Sequence, residues 1–189
     1  MNSYTLSNNV TIPELGFGTW QTPDGDVAVA SVKKALEVGY RHIDTAQGYK
    51  NEASVGQAIK ESGIPREELF LTTKLWNANH SYDLVMSSFE ESLEKLQTDY
   101  IDLFLIHWPN PVAFRDNWQT ANAETWRAFE ELYQAGKIKA IGVSNFHIHH
   151  LEDLLSSCEV KPAVNQVECH PLLTQEELRK YCRDQHIAF

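Results

Sequence analysis

Short apolar runs rich in β-branched and aromatic residues alternate along the chain with longer stretches whose apolar residues recur three and four apart. The first pattern predicts strands buried on both faces, the second amphipathic helices with one stripe turned inward. The first 12 residues predict a small hairpin turning at Asn8-Asn9. Residues 15–19, 41–44, 70–74, 101–107, 138–144 and 163–167 predict six inner strands. Between them lie helical stripes: Ala28, Val32, Ala35 and Leu36, then Val55 and Ile59, then Val85, Phe89, Leu93 and Leu96. A longer loop through Pro109, Pro111 and Trp118 precedes a stripe of Trp126, Phe129, Leu132 and Tyr133, and Leu151, Leu154 and Leu155 mark the next helix. Thr174 and Glu177 have the spacing of a capping box opening a sixth helix. The final residues, His186-Ile187-Ala188-Phe189, read as the opening of a seventh strand.

Strands that alternate with helices imply parallel pairing through right-handed crossovers. An open doubly wound sheet and a closed (β/α)8 barrel both satisfy that pattern. Gly16-Phe17-Gly18 is a poor dinucleotide fingerprint, because Gln21 stands where the third glycine belongs. Six βα units plus a stub fall short of the ~250 residues typical of a complete barrel. The chain is therefore read as α/β, an incomplete (β/α)8 TIM barrel with an N-terminal β-hairpin, forming one partial domain over residues 1–189.

Composition narrows the partners. Of the 189 residues, 42% are apolar, enough for a folded core. Lysine and arginine number 16 against 26 aspartates and glutamates, a formal charge of −10. That excess opposes association with nucleic acid or an anionic membrane, so neither is an expected partner. No run of about 18 apolar residues predicts a membrane-spanning helix, and the first residues lack the basic-then-apolar order of a secretory signal. Three cysteines, Cys158, Cys169 and Cys182, with no C-x-x-C spacing, fit free thiols in a reducing cytoplasm.

Where barrel strands become loops, their last residues converge on one mouth. Here those positions are polar in strand after strand: Asp44, Lys74, His107, Ser144 with Asn145, and Asn165 with Gln166. Tyr49 lies five residues beyond Asp44. Each alone has an ordinary explanation, such as a structural Asp44–Lys74 ion pair, a core histidine or a half-buried tyrosine. Together they match one chemistry, reduction of a carbonyl. The hydride must come from a nicotinamide cofactor, because no side chain supplies one. The proton can come from Tyr49, with Lys74 favouring the phenolate and Asp44 holding Lys74 in place. His107 can hydrogen-bond the carbonyl oxygen. Ser144, Asn145 and Gln166 offer the donors and acceptors a carboxamide requires, and Trp20, Trp76 and Trp108 can wall a pocket. His147, His149 and His150 read as a solvated helix start and not a metal site, since no cysteine or carboxylate completes a set.

Several long motifs recur in order: Leu15-Gly16-Phe17-Gly18-Thr19-Trp20, the run from Gly39-Tyr40-Arg41-His42-Ile43-Asp44 through Tyr49-Lys50-Asn51-Glu52, Thr72-Thr73-Lys74-Leu75-Trp76, Asp102-Leu103-Phe104-Leu105-Ile106-His107-Trp108-Pro109, Ile141-Gly142-Val143-Ser144-Asn145-Phe146 and Asn165-Gln166-Val167-Glu168. With them the chain resembles the aldo-keto reductases, in particular small bacterial and plant members. The resemblance implies an NADPH-dependent reductase of small-molecule aldehydes or ketones, with Asp44, Tyr49, Lys74 and His107 as catalytic tetrad and Tyr49 as general acid. It implies cofactor contacts from Gly18, Thr19, Trp20, Asp44, Ser144, Asn145 and Gln166. Substrate contacts are implied for Trp20, Tyr49, Trp76, His107 and Trp108, and no metal is implied. In that family, strands seven and eight carry an aromatic platform for the nicotinamide and a Lys-Ser…Arg stretch for the adenosine 2′-phosphate; this sequence contains neither. A chain with these residues alone is expected to bind NADPH weakly and, through open sheet edges, to self-associate, whereas a complete parent is expected to be a monomer. The alternative reading is an inactive fragment, or a nucleotide-binding regulatory protein on the same fold.

Overall fold

Residues 2–189 are described by a computed structural model. A hairpin of β1 (Ser3–Thr5) and β2 (Thr11–Pro13) comes first, antiparallel, with Asn9 in the left-handed region at its turn. Six strands then pair side by side in chain order, all parallel: β3 (Phe17–Gly18), β4 (His42–Asp44), β5 (Phe70–Leu75), β6 (Ile101–Ile106), β7 (Ile138–Ser144) and β8 (Asn165–Gln166). Helices α1 (Asp26–Glu37), α2 (Glu52–Ser62), α3 (Tyr82–Leu96), α4 (Trp118–Gln134), α5 (Ile148–Leu155) and α6 (Glu176–Asp184) follow β3 to β8 in turn. None of the described helices is long and apolar enough to cross a membrane. The final residues continue the sheet as one parallel bridge, Val164 to Ala188, with Asn165 donating its N–H to the Ala188 carbonyl at 2.8 Å.

Because successive strand residues face opposite sides, the sheet carries two apolar clusters. On the helix side Leu71, Leu75, Phe104, Ile106, Ile141 and Val143 meet the helical stripes, including Val32, Val55, Phe89 and Phe129. On the other face Phe70, Leu103, Leu105, Ala140 and Val164 meet Leu6 of the hairpin, with Val10 and Ile12 packed beside it. Asn8 ties the hairpin to the sheet by donating to the Lys139 carbonyl at 2.9 Å. The hairpin thus covers the inner, lumen-side apolar cluster and leaves the far ends of the strands open.

Four local expectations are corrected. β3 and β8 are two residues long instead of five; the pairing of β3 with β4 ends on the bond from the Thr19 N–H to the Asp44 carbonyl. Trp118 is the first residue of α4, not a loop residue, and meets the His150 ring edge-on at 4.9 Å. Thr174 caps nothing. Helix α6 starts at Glu176 after Gln175, whose left-handed backbone (φ 54°) turns the chain away from the geometry a Thr174 cap needs.

Candidate active site

Strands β4 and β5 run in register, so Asp44 stands beside Thr72 and Lys74 extends beyond them on the same face. Lys74 is 1% exposed. A buried ammonium is costly unless its three donors are satisfied, and here each has an acceptor. Nζ lies 2.5 Å from Asp44 Oδ1, 3.0 Å from the Thr45 carbonyl and 3.3 Å from the Tyr49 hydroxyl. The second Asp44 oxygen accepts from Gln166 Nε2 at 2.8 Å, which spans the sheet from β4 to β8. His107 follows β6 directly, and its ring meets the Tyr49 ring edge-on with centroids 5.6 Å apart. Four chain segments therefore deliver a carboxylate, an ammonium, a phenol and an imidazole to one place.

His107 Nδ1 is buried without a partner. The ring's pKa is pushed down to about 4, by burial first and by the Lys74 ammonium second, against the opposing pull of Asp44. The imidazole is therefore neutral at pH 7, a donor at one nitrogen and an acceptor at the other. Asn145 holds the end of β6 in position. It adopts a left-handed backbone (φ 63°) and donates from Nδ2 to the His107 carbonyl at 2.9 Å. Ser144 donates its hydroxyl to the Gln166 carbonyl at 2.8 Å.

These groups open onto a cavity of ≈ 1790 Å³ lined by Gly18, Trp20, Asp44, Gly48, Tyr49, Lys74, Trp76, His107, Trp108, Ser144, Asn145 and Gln166, among others. Trp20, Trp76 and Trp108 are 68%, 42% and 48% exposed, so each still offers indole surface to that cavity. Two polar strand-end residues are placed elsewhere. Thr19 is fully buried and gives its hydroxyl to Asn51 Oδ1 at 3.3 Å. Asn165 points to the helix side, where its amide donates to the Phe146 carbonyl. A nicotinamide fits the residues present. At Gly18 a Cβ would project into open space, so the strand end is a bare edge that a flat ring can approach, and the amides of Asn145 and Gln166 stand on the same rim.

Sequence reasoning missed the residues that anchor the Tyr49 turn. Asn51 is fully buried; its amide donates to the carbonyls of Thr19 and Thr22, and its Oδ1 accepts from Thr19 and Thr45. Gln47 donates to the Ser88 carbonyl and to Ser92 Oγ, both on α3, and accepts from the Trp76 N–H at 2.7 Å. Glu52 is buried behind β5 and accepts from Thr73 at 2.6 Å; burial raises its pKa. The available signal was the density of polar residues from 44 to 52, too many for solvent alone to satisfy beside a buried strand.

Comparison with known proteins agrees with this architecture. Residues 14–189 match the model of the Aldo/keto reductase family. The chain is 55% identical over 182 residues to the glyoxal reductase of Bacillus subtilis, covering 96% of this chain and 63% of that protein. It superposes on the crystal structure of an aldo/keto reductase from Brucella melitensis with a TM-score of 0.93 and 46% identity, covering all of this chain and 72% of that one. A Bombyx mori aldo-keto reductase solved in complex with NADP gives 0.88 and 39%, over 99% and 64% of the respective chains. The chain spans somewhat under two thirds of the length of the curated relatives it matches. With its parallel sheet, its hairpin and the cluster at the strand ends, this chain belongs to the aldo/keto reductase family.

Proposed function

We propose that the mouth formed by Asp44, Tyr49, Lys74 and His107 reduces aldehydes or ketones to alcohols with NADPH. The observation that carries this reading is the Lys74 ammonium, buried and in contact with both the Asp44 carboxylate and the Tyr49 hydroxyl. When bound, the cofactor supplies the hydride. Tyr49 donates its proton to the carbonyl oxygen as that oxygen gains charge. The negative charge left on the phenol oxygen falls 3.3 Å from the Lys74 ammonium, in a site where little water screens the attraction. Asp44 fixes the Lys74 amine, and Gln166 fixes Asp44. Neutral His107 donates a hydrogen bond that orients the carbonyl oxygen toward Tyr49, and its low proton affinity keeps it from competing as the acid. Ser144, Asn145, Gln166 and the bare edge at Gly18 hold the carboxamide end of the cofactor, with Trp20 beside it. Trp76 and Trp108 flank the substrate.

Kinship supports the substrate class: the Bacillus subtilis relative is named for the reduction of glyoxal, a small dicarbonyl. The test is NADPH oxidation with glyoxal as acceptor, followed for the protein and for Tyr49→Phe. The reading expects turnover in the first and almost none in the second. Equal rates in both would contradict it.

A further inference from the structure

We propose that Gly48 is a specificity-determining position, setting how large a group fits beside the reacting carbonyl. The inference rests on the reductase reading of the mouth. Gly48 is the middle residue of the 3-10 turn Gln47–Tyr49, one residue before the proposed acid. A Cβ placed there would lie 2.6 Å from both Cε3 and Cζ3 of Trp76, closer than real Cβ atoms come to anything. The Trp76 indole therefore rests directly on the Gly48 backbone. Nothing in the backbone itself demands glycine, since Gly48 is not among the glycines with positive φ. The ring demands it.

The contact decides where the aromatic wall stands. The Trp76 N–H is held by Gln47 Oε1 at 2.7 Å, so the same turn grips both the backbone and the ring of this residue. The turn is also backed firmly. Gln47 is bonded to α3 through the Ser88 carbonyl and Ser92, and Tyr49 is bonded to Lys74. Trp76, by contrast, is 42% exposed and free to yield. A side chain at position 48 leaves the turn in place and lifts the indole off it. Restoring ordinary contact needs a displacement of roughly 1 Å, and packed aromatic walls register shifts of that size. Gly48 and Trp76 line the same cavity as Tyr49 and His107, so the displaced ring alters the opening beside the phenol. Glycine keeps that wall drawn back and admits carbonyls carrying an aromatic or branched substituent.

The experiment compares the protein with Gly48→Ala by two readouts. The first is the indole N–H resonance of Trp76 in a 1H–15N spectrum, assigned by its loss in Trp76→Phe. The second is the ratio of kcat/KM for 4-nitrobenzaldehyde to that for propanal with NADPH. The expected result is a moved Trp76 resonance and a ratio lowered at least tenfold, with Trp76→Leu in the Gly48→Ala background restoring it. An unmoved resonance, or an unchanged ratio in an active variant, would overturn the proposal. Absence of turnover in the unsubstituted protein would strike the reductase reading instead, and the resonance alone would then decide the role of Gly48.

Discussion

Asp44 and Asp102 are both largely buried carboxylates paired with lysine, one at each end of the same parallel sheet. At the start of the strands, Asp102 accepts from Arg66 at 2.7 Å, from the Leu71 N–H at 2.9 Å and from Lys139 at 2.9 Å. The same two cations lie over the Tyr100 ring, the Arg66 guanidinium 4.1 Å and the Lys139 amine 4.2 Å from its centroid. Both Asp102 oxygens are used, and none of these five residues lines the cavity. At the other end, the Asp44–Lys74 pair continues into a phenol and an imidazole whose side chains line the open cavity. A buried ion pair alone says little about function. What separates the two ends is hydrogen-bonding capacity left over and aimed at a space a ligand can enter.

Substitutions at the two ends should therefore part company. The largest effect is expected for Tyr49→Phe, which should lower kcat by about 10²–10⁴ at a smaller cost in stability, about 1–3 kcal/mol for the Lys74 donor left without its acceptor; steady-state rates and calorimetry check both halves. Asp102→Ala should do the reverse. It strands Arg66 and the Leu71 N–H, should cost about 3–5 kcal/mol in urea unfolding, and should leave kcat of the folded fraction where it was.

Acid offers a third separation. Burial is the first cause that lowers the pKa of His80, His107 and His150, each to about 4. In the unfolded chain they return to about 6.5. Between those values the unfolded state binds more protons, so stability is full above about pH 6.5 and falls as pH drops toward 4. His80 is 1% exposed and stacks on Phe114 at 5.5 Å, and burial outweighs the Asn122 side chain, which favours its protonated form. His80→Phe should flatten the stability slope in that window by about one proton, ~1.4 kcal/mol per pH unit. The smallest effect belongs to Tyr100→Leu, expected to cost about 1–2 kcal/mol through two partly exposed cation–π contacts, with no change in turnover.

The stripe of α1 is read from sequence without error: Ala28, Val32, Ala35 and Leu36 are its buried residues. Helical periodicity is a local signal, and one face of one helix satisfies it. The convergence of Asp44, Lys74 and His107 was legible for a related reason, since parallel strands of one sheet end on the same side. Less legible was anything decided by a distant partner. Asp102 looked like one polar residue in an apolar strand, and its role depends on a backbone N–H 31 residues away. Thr19 stood in a motif beside Trp20, yet its hydroxyl turns inward to Asn51, 32 residues on. Thr174 had the spacing of a cap but lost that role to the left-handed turn at Gln175. Gly48 lies within the motif that runs from Gly39 to Glu52, and only the Trp76 ring lying on it shows why a side chain is missing there.

Tyr49 and Lys74 are expected to act as one unit at this mouth. A double-mutant cycle with Tyr49→Phe and Lys74→Met, read as kcat/KM for glyoxal with NADPH, tests it directly. If they do act together, the double variant loses no more than the worse single variant, because each substitution already disables the shared proton donor. Losses that multiply, with the two residues contributing independently, would contradict it.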